Sequence, residues 1–329
     1  MSKSVNQKGK ILRLLQLLTS KTDENHKLNT PDIITELEKY DICAERKSIY
    51  DDINCLKDMG YDIICDKSRS GGYYLASRDI EKYEIIPLVD AVSSSRFITE
   101  KKSRELIKKL EGLLSVYDAK ELDRSIYVSN RIKSDNESIY YSLDSIHKAL
   151  SAKKKISFLY CEYNINKELV PRHDGKIYVS NPLGLSWDDE KYYLISYDDE
   201  YSMIRHYRVD KMKKIEVLDE GITKNDATVK FDIVSYCNRT FGMYAGEEEK
   251  VTLLFPSKMV GVFIDRFGKE PTLRQELKGE FFSVRVSVNV SNQFFGWIAG
   301  LGEDVTIMGP QNVVDAYKTF LKNSLKNYR

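Results

Sequence analysis

The sequence predicts an α+β protein with more than one domain, and three observations support this class. Apolar residues between positions 8 and 58 recur with the period of a helix, whereas after Ile146 they fall in short runs rich in tyrosine and β-branched residues, as in strands. In the last eighty residues, helix-like and strand-like segments alternate. The length of 329 residues also exceeds that of one typical domain.

The composition is that of a folded soluble protein, with 42% hydrophobic and 31% charged residues. No apolar run reaches the roughly 18–20 residues that span a bilayer, and the start MSKSVNQKGK lacks the apolar core of a signal peptide. We therefore expect a cytoplasmic protein with no membrane partner. Five scattered cysteines and four isolated histidines have no metal-ligand spacing, so we expect reduced thiols, no metal and no cofactor.

Three helices are predicted before residue 60. The segment KGKILRLLQLL (8–18) carries its leucines on one side, and TPD (30–32) begins a second helix with Thr30 as the capping hydroxyl and proline at its first position. The stretch ERKSIYDDINCLKDMG (45–60) forms the third, with Gly60 just past its end. Its predicted buried side consists of Ile49, Ile53 and Leu56.

The third helix is followed by two short strand-like runs, DIICD and GYYLA, joined by KSRSGG. Three helices and a basic-tipped hairpin form the winged helix-turn-helix pattern, in which the third helix enters the major groove of DNA. We expect lysines and arginines to neutralise phosphates, and Arg46 or Tyr50 to reach base edges. A net charge of only +1 requires this basic surface to be local. The alternative is a winged helix used only for protein contacts. The predicted DNA-binding residues are Arg46, Lys47, Ser48, Tyr50, Asn54, Lys67 and Arg69.

Residues 81–140 read as a partly charged helical linker, and the strand-like runs ISFLY, IYVSNPLGLSW, KYYLISYD and IRHYRVD follow it. A sheet surface rich in tyrosine and arginine suits an anionic, stackable ligand such as a nucleotide or single-stranded nucleic acid. The alternative is that the tyrosines pack and the basic residues form a solvated face. The predicted ligand-binding residues are Tyr160, Tyr193, Arg205, His206 and Arg208.

Strand alternation places Arg205 and Arg208 on opposite faces, so a flat strand would not present both to one ligand. A bulge or strong twist could re-aim one of them. If only one arginine binds, we expect it to be Arg208, because His206 shares its face and would align a second donor. Arg205 would then brace the barrel or contact the linker.

The segment NPLGLSWDDEKYYLISYDDEYSMIRHYRVD (181–210) resembles the core of a WYL domain. Tyr192-Tyr193-Leu194 corresponds to the Trp-Tyr-Leu triplet of that family, with tyrosine in place of tryptophan, and the run RHYR (205–208) corresponds to its Arg-x-Phe/Tyr-Arg strand. The resemblance implies a small Sm-like β-barrel. In this family the barrel commonly follows a winged helix-turn-helix module, which the run RKSIY (46–50) also resembles.

The last eighty residues predict the order β-α-β-β-α-β plus a final helix, which is ferredoxin-like. The segment FFGWIAGLGEDVTIMGP (294–310) resembles the WCX extension found behind WYL domains, which implies dimer contacts. The polar cluster DRFG (265–268) could touch a ligand or a partner barrel, or could simply be a helix end.

These observations predict a ligand-responsive transcription regulator that acts as a homodimer on an operator of double-stranded DNA. The alternative is an enzyme that processes nucleotides or nucleic acid on the basic barrel surface, although no catalytic spacing is apparent. The predicted domains are a winged helix-turn-helix at 1–80, a helical linker at 81–140, the WYL barrel at 141–222, a connector at 223–250 and a WCX dimerisation domain at 251–329.

Overall fold

The computed structural model describes residues 9–69, 71–125, 133 and 138–328. The chain divides into two compact units, Met1–Asp135 and Asn136–Arg329. The mixture of helices and antiparallel sheets confirms the α+β class. None of the helices in the described ranges combines the length and apolar character that crossing a bilayer requires.

The first unit begins with the winged helix-turn-helix arrangement predicted from the sequence. Its helical core is buried as the apolar periodicity predicted, with Ile49, Ile53 and Leu56 each at most 2% exposed. Gly60 follows the third helix with a φ of +96°, a backbone conformation that favours glycine. The elements are α1 (Lys10–Lys21), α2 (Thr30–Glu38), α3 (Arg46–Asp58), β1 (Ile63–Cys65) and β2 (Tyr73–Leu75).

The N-terminal cap of α2 differs from the prediction. Asn29, not Thr30, caps the helix, because its side chain accepts a hydrogen bond from the backbone N–H of Asp32 at 2.9 Å. Asn29 has extended backbone geometry, whereas Thr30 is already helical. The Thr30 hydroxyl is thereby left to hydrogen-bond with Tyr50 of α3.

The hairpin is widened by a third strand position at Leu28. Leu28 and Tyr73 exchange two backbone hydrogen bonds, at 3.0 and 2.8 Å. This pairing is close enough to require glycine at position 72, where a Cβ atom would lie 2.6 Å from the Leu28 carbonyl. Lys27 and Asp66 form an ion pair at 2.5 Å across the same corner, which lowers the pKa of Asp66 to about 2.

The described part of the predicted linker folds into helices joined by short turns. Its three helices bury a small apolar core around Ile85 and Val89. Residues 126–132 and 134–137 of the predicted linker lie outside the described residues. The helices are α4 (Lys82–Ser94), α5 (Glu100–Glu111) and α6 (Val116–Ser125).

The second unit opens with a helix that the sequence prediction assigned in part to strands. Ile146 was expected to begin the strand region but is buried within α7, and the first strand begins only at Lys154. Ile139, Ile146 and Ala149 share one buried helical face, and the helical period continues to the end of α7 at Ala152. The elements are α7 (Ile139–Ala152), β3 (Lys154–Tyr163), β4 (Leu169–Pro171), β5 (Ile177–Asp188), β6 (Lys191–Asp198), β7 (Met203–Arg208) and β8 (Met212–Gly221).

These strands curl into the small Sm-like barrel implied by the resemblance. They pair antiparallel in the order β4-β3-β5-β6-β7. The last strand, β8, also pairs with β3, between Lys154 and Tyr160. Leu194, Ile195 and Phe158 are at most 1% exposed, so the barrel interior is a packed core. Tyr192, at the family's tryptophan position, packs edge-on against Trp187 with ring centroids 4.6 Å apart.

A connector of two short helices leads to a ferredoxin-like domain, as the sequence predicted. The four-stranded antiparallel sheet has the order β10-β11-β9-β12 and is covered by phenylalanine-rich helices. The elements are α8 (Asp226–Val229), α9 (Ile233–Arg239), β9 (Glu247–Pro256), α10 (Val260–Phe267), β10 (Arg274–Glu276), β11 (Phe281–Val290), α11 (Asn292–Gly300), β12 (Thr306–Gly309) and α12 (Gln311–Lys326).

Candidate DNA interface and effector site

The first candidate site is the exposed face of α3. Arg46 and Tyr50 lie one helical turn apart, and the Arg46 Nε donates to the Tyr50 hydroxyl at 2.6 Å. Hydrogen bonds with Thr30 and Arg46 lower the pKa of Tyr50. Lys47 and Asn54 are exposed on the same helix. The face therefore offers cationic groups and hydrogen-bonding groups to an external partner.

The Ser48 side chain has a different environment from its neighbours. It is half-buried, and its hydroxyl contacts the ammonium of Lys10 on α1. The Lys10 ammonium also pairs with Asp52 at 2.8 Å. This three-residue cluster joins α1 to α3, so Ser48 takes part in packing the module.

The predicted wing residues lie on the loop between β1 and β2. Lys67 and Arg69 are both exposed. The rings of Tyr50 and Tyr73 lie 6.4 Å apart and tie α3 to the hairpin. The structure thus brings the helix and the basic hairpin side by side, as DNA recognition by a winged helix requires.

The second candidate site surrounds Arg208 at the end of β7. The guanidinium forms a two-point contact with Asp210, with Nε–Oδ1 at 3.1 Å and Nη2–Oδ2 at 2.6 Å. The backbone N–H of Arg208 donates to the Tyr160 hydroxyl at 3.3 Å, and Tyr193 lies directly opposite Arg208 on β6. Burial alone would lower the pKa of Arg208, but its bonds to Asp210 raise it overall.

Tyr160 belongs to an aromatic cluster inside the barrel. Its ring meets that of Tyr207 edge-on at a centroid distance of 5.2 Å, and Phe158 and Tyr178 complete the cluster. Burial raises the pKa of Tyr160, so its hydroxyl remains protonated at neutral pH. Tyr160 can therefore both donate and accept a hydrogen bond beside Arg208.

Arg205 has separate partners from Arg208. Its guanidinium lies 3.2 Å from the Asp198 carboxylate and stacks over the Tyr201 ring at 4.0 Å. These contacts hold the strand end against its neighbouring loop. The geometry gives Arg205 the bracing role that strand alternation left open for one of the two arginines.

His206 does not join Arg208 as the sequence reasoning expected. Its Nδ1 lies 2.6 Å from the Met243 carbonyl oxygen, and its Nε2 lies 2.9 Å from the Tyr236 hydroxyl. Burial lowers the pKa of His206, which favours the neutral ring. A carbonyl only accepts, so Nδ1 carries the proton and Nε2 accepts from Tyr236. Both ring nitrogens are therefore committed to the connector.

Two cations that sequence reasoning did not assign to this site lie near Arg208. Lys211 follows Asp210, and burial together with the charge of Arg208 lowers its pKa. Arg172 influences the same tyrosine and lysine electrostatically and pairs with Glu162 at 3.2 Å. Lys211 belongs to a run of basic residues that is visible in the sequence between Met203 and Lys214. Arg172 has no such signal, because it comes close to this site only through the pairing of β4 with β3.

The polar cluster at 265–268 is part of the fold of its own unit. Arg266 stacks over the Phe241 ring at 3.9 Å and donates to the Thr240 carbonyl at 2.8 Å. Gly268 ends α10 with a φ of +76°. These contacts favour the helix-end interpretation. Elsewhere in the described ranges, no group of three or more His, Cys, Asp or Glu side chains is arranged to hold a metal ion.

The fold and the two sites define a multidomain protein that combines a winged helix, an Sm-like barrel and a ferredoxin-like domain. The WYL domain family model matches residues 142–217, and the WCX domain family model matches residues 247–324. The chain therefore contains a WYL domain followed by a WCX domain, as the resemblance implied.

Similar solved structures include proteasome accessory factor B/C (PafBC) of Arthrobacter aurescens, which is 17% identical at a TM-score of 0.28; the match covers 97% of this chain and 49% of that chain. A second is a CRISPR Cas-related protein, 14% identical at a TM-score of 0.36, with 97% of this chain and 85% of that chain covered. The chain thus spans about half the length of the PafBC chain. At such TM-scores, neither likeness bears on the arrangement or function of this chain. No curated protein matches it.

Proposed function

We propose that this protein is a cytoplasmic transcription regulator that binds a double-stranded DNA operator through its winged helix and responds to an anionic effector through its WYL barrel. The observation that carries the proposal is the exposed face of α3, with Arg46, Lys47 and Asn54 beside the basic hairpin. Winged helices that bind DNA place these kinds of side chain in the major groove and along the phosphates.

The proposed effector is a nucleotide or a single-stranded nucleic acid. Support comes from the planar guanidinium of Arg208, which suits phosphate, and from the hydroxyls and rings of Tyr160 and Tyr193 around it. Effector binding would favour one arrangement of the DNA-binding modules over another, which is a population shift between pre-existing states.

We also propose that the protein acts as a homodimer through its WCX domain. The apolar helix FFGWIAG, now α11, does not supply this contact, because Phe294, Phe295 and Ile298 are buried in the core of their own domain. The outer face of α12 is the better candidate, since Leu321 and Leu325 lie one turn apart and are 42% and 55% exposed. A Leu321→Glu, Leu325→Glu double variant should be monomeric by light scattering.

A gel-shift titration with DNA from upstream of the protein's own gene tests the main proposal. We expect salt-sensitive, sequence-selective binding that survives competition with unrelated DNA. The same preparation should be assayed for nuclease and nucleotidase activity with added divalent metal. Turnover that Arg208→Ala abolishes, without selective DNA binding, would replace this proposal with the enzyme alternative.

A further inference from the structure

The Arg208 guanidinium is occupied by an anion from its own chain. Asp210 contacts two adjacent nitrogens of the guanidinium, at 3.1 and 2.6 Å, which is how arginine binds carboxylate or phosphate in two-point contacts. Both side chains remain partly open to solvent, at 29% and 25% exposure. An anionic ligand that uses this edge of Arg208 must therefore displace the Asp210 carboxylate.

The charges around this contact favour an incoming anion with more than one negative charge. Arg208, Lys211 and Arg172 contribute three cations, whereas Asp210 and Glu162 contribute two carboxylates. Lys211 has no carboxylate within ion-pair distance among the described residues, and burial and the neighbouring Arg208 lower its pKa. A ligand that replaced Asp210 would meet two adjacent cations, Arg208 and Lys211, while the Glu162 carboxylate is paired with Arg172.

The position of Asp210 allows its side chain to leave without unfolding the turn. It lies on the 3-10 turn Val209–Lys211 between β7 and β8. Val209 precedes it and Met212 ends the turn, and each of these side chains is only 1% exposed. The backbone is therefore anchored on both sides, and a rotation about the Asp210 side-chain bonds suffices to free Arg208.

We propose that Asp210 holds the place of the effector's phosphate in the ligand-free protein and selects for phosphate groups over singly charged carboxylates. This inference rests on the proposed function of Arg208 in effector binding. Asp210 competes from within the same turn, so its effective concentration is high and a carboxylate of equal charge gains little by replacing it. A terminal phosphate group, as on a nucleotide or at the end of a nucleic-acid strand, carries a charge near −2 and interacts with both Arg208 and Lys211, and so it can displace Asp210.

Calorimetric titration of the full chain with pyrophosphate, inorganic phosphate and acetate tests the inference. Wild type should bind the three probes in that order of decreasing affinity, with acetate undetectable. Asp210→Asn removes the charge of the side chain while keeping its size. It should strengthen phosphate binding by about tenfold and reduce the difference in affinity between phosphate and acetate. Asp210→Ser should act in the same direction, and thermal unfolding confirms that both variants fold.

The matched control is Asp219→Asn, which removes the same charge from β8 at a carboxylate paired with Lys154, near the opposite end of β3 from Tyr160. It should leave all three affinities unchanged. If Asp210→Asn and Asp210→Ser bind phosphate no more tightly than wild type while Arg208→Ala loses binding, Asp210 is not a placeholder although the site stands. If Arg208→Ala retains wild-type phosphate binding, both the site and this inference are overturned.

Discussion

The exposed face of α3 and the site around Arg208 use the same residue types in opposite ways. On α3, Arg46 bonds Tyr50 within one helical turn at the surface, and Lys47 and Asn54 have no side-chain partner among the described residues. In the barrel, the contacts of Arg208 reach Asp210 and, across strands, Tyr160. Surface contacts within one helix are weak and readily exchanged, whereas half-buried contacts are not.

This difference bears on what each region can do. A surface that reads DNA gains from open, loosely held cations, because it must bind many phosphates quickly and in a salt-dependent way. A site that senses an anion gains from a cation that already has a partner carboxylate. Only a ligand that binds the cation more strongly than this carboxylate can then replace it.

Gly72→Ala should disable the proposed DNA interface on α3 and the hairpin, and should leave the proposed effector site around Arg208 intact. The added Cβ would lie 2.6 Å from the Leu28 carbonyl, so the wing must move away from its third strand. Overpacking of this kind costs about 1–3 kcal/mol. We expect operator affinity in gel shifts to fall strongly while pyrophosphate binding is unchanged. Gly9→Ala, where no atom lies within 4 Å of the added Cβ, is the control and should bind DNA normally.

Arg208→Ala should have the opposite effect, so that anion binding is lost and DNA binding is retained. Loss of a charged two-point contact costs about 2–3 kcal/mol, so calorimetric binding of pyrophosphate should disappear while basal operator binding stays near normal. Arg208→Lys should recover little, because an ammonium lacks the planar pair of donors. Arg205→Ala is the matched control, since Asp198 and Tyr201 hold that guanidinium. Loss of binding in Arg205→Ala with retention in Arg208→Ala would reverse the assignment.

The elements that the sequence predicted well are those determined by local periodicity. The buried face of α3 follows from residues three and four apart, and the ferredoxin-like order follows from the succession of segments. Local signals gave a wrong prediction for the N-terminal cap of α2, where two adjacent residues can both serve as the cap. Asn29 and Thr30 are both good caps, and only backbone geometry decides between them.

The residues around Arg208 could not be predicted in full, because they are brought together by contacts between residues far apart in the sequence. Arg172 approaches Tyr160 only because β4 pairs with β3, and His206 leaves the site only because Tyr236 and Met243 are folded over β7. Alternation along one strand could place His206 on a face but could not show what covers that face. The apolar segment of α11 likewise suggests a dimer contact, but its large side chains are buried in the core of their own domain.

Single substitutions on α3 should separate positioning from base reading. Lys47→Ala should weaken binding to all DNA sequences and reduce the salt slope by about one phosphate contact. Arg46→Ala or Tyr50→Ala should instead relax the preference for particular bases, at about 1–3 kcal/mol. Ser48→Ala should change neither quantity, because Ser48 contacts Lys10. Salt-dependent titrations on operator and mutated-operator DNA measure all four, and identical slopes for Lys47→Ala and wild type would remove Lys47 from the interface.

His206→Gln should reduce the loss of folding stability that the second unit shows when the pH is lowered. Burial holds the folded-state pKa of His206 below its usual value of 6.5, so the neutral ring stabilises the fold fully above that pH. As the pH falls through 6.5, the unfolded chain takes up the proton first, and stability declines by up to about 1.4 kcal/mol per pH unit.

Thermal unfolding at pH 7.5 and 5.5 measures this difference. His206→Gln should be less stable than wild type at pH 7.5, because the bonds to Tyr236 and Met243 are lost or distorted, but it should lose less on acidification. His173→Gln alters an exposed histidine of the same unit and should behave as wild type does. Equal losses on acidification in wild type and His206→Gln would show that His206 is not held neutral, and that the link between β7 and the connector does not depend on its tautomer.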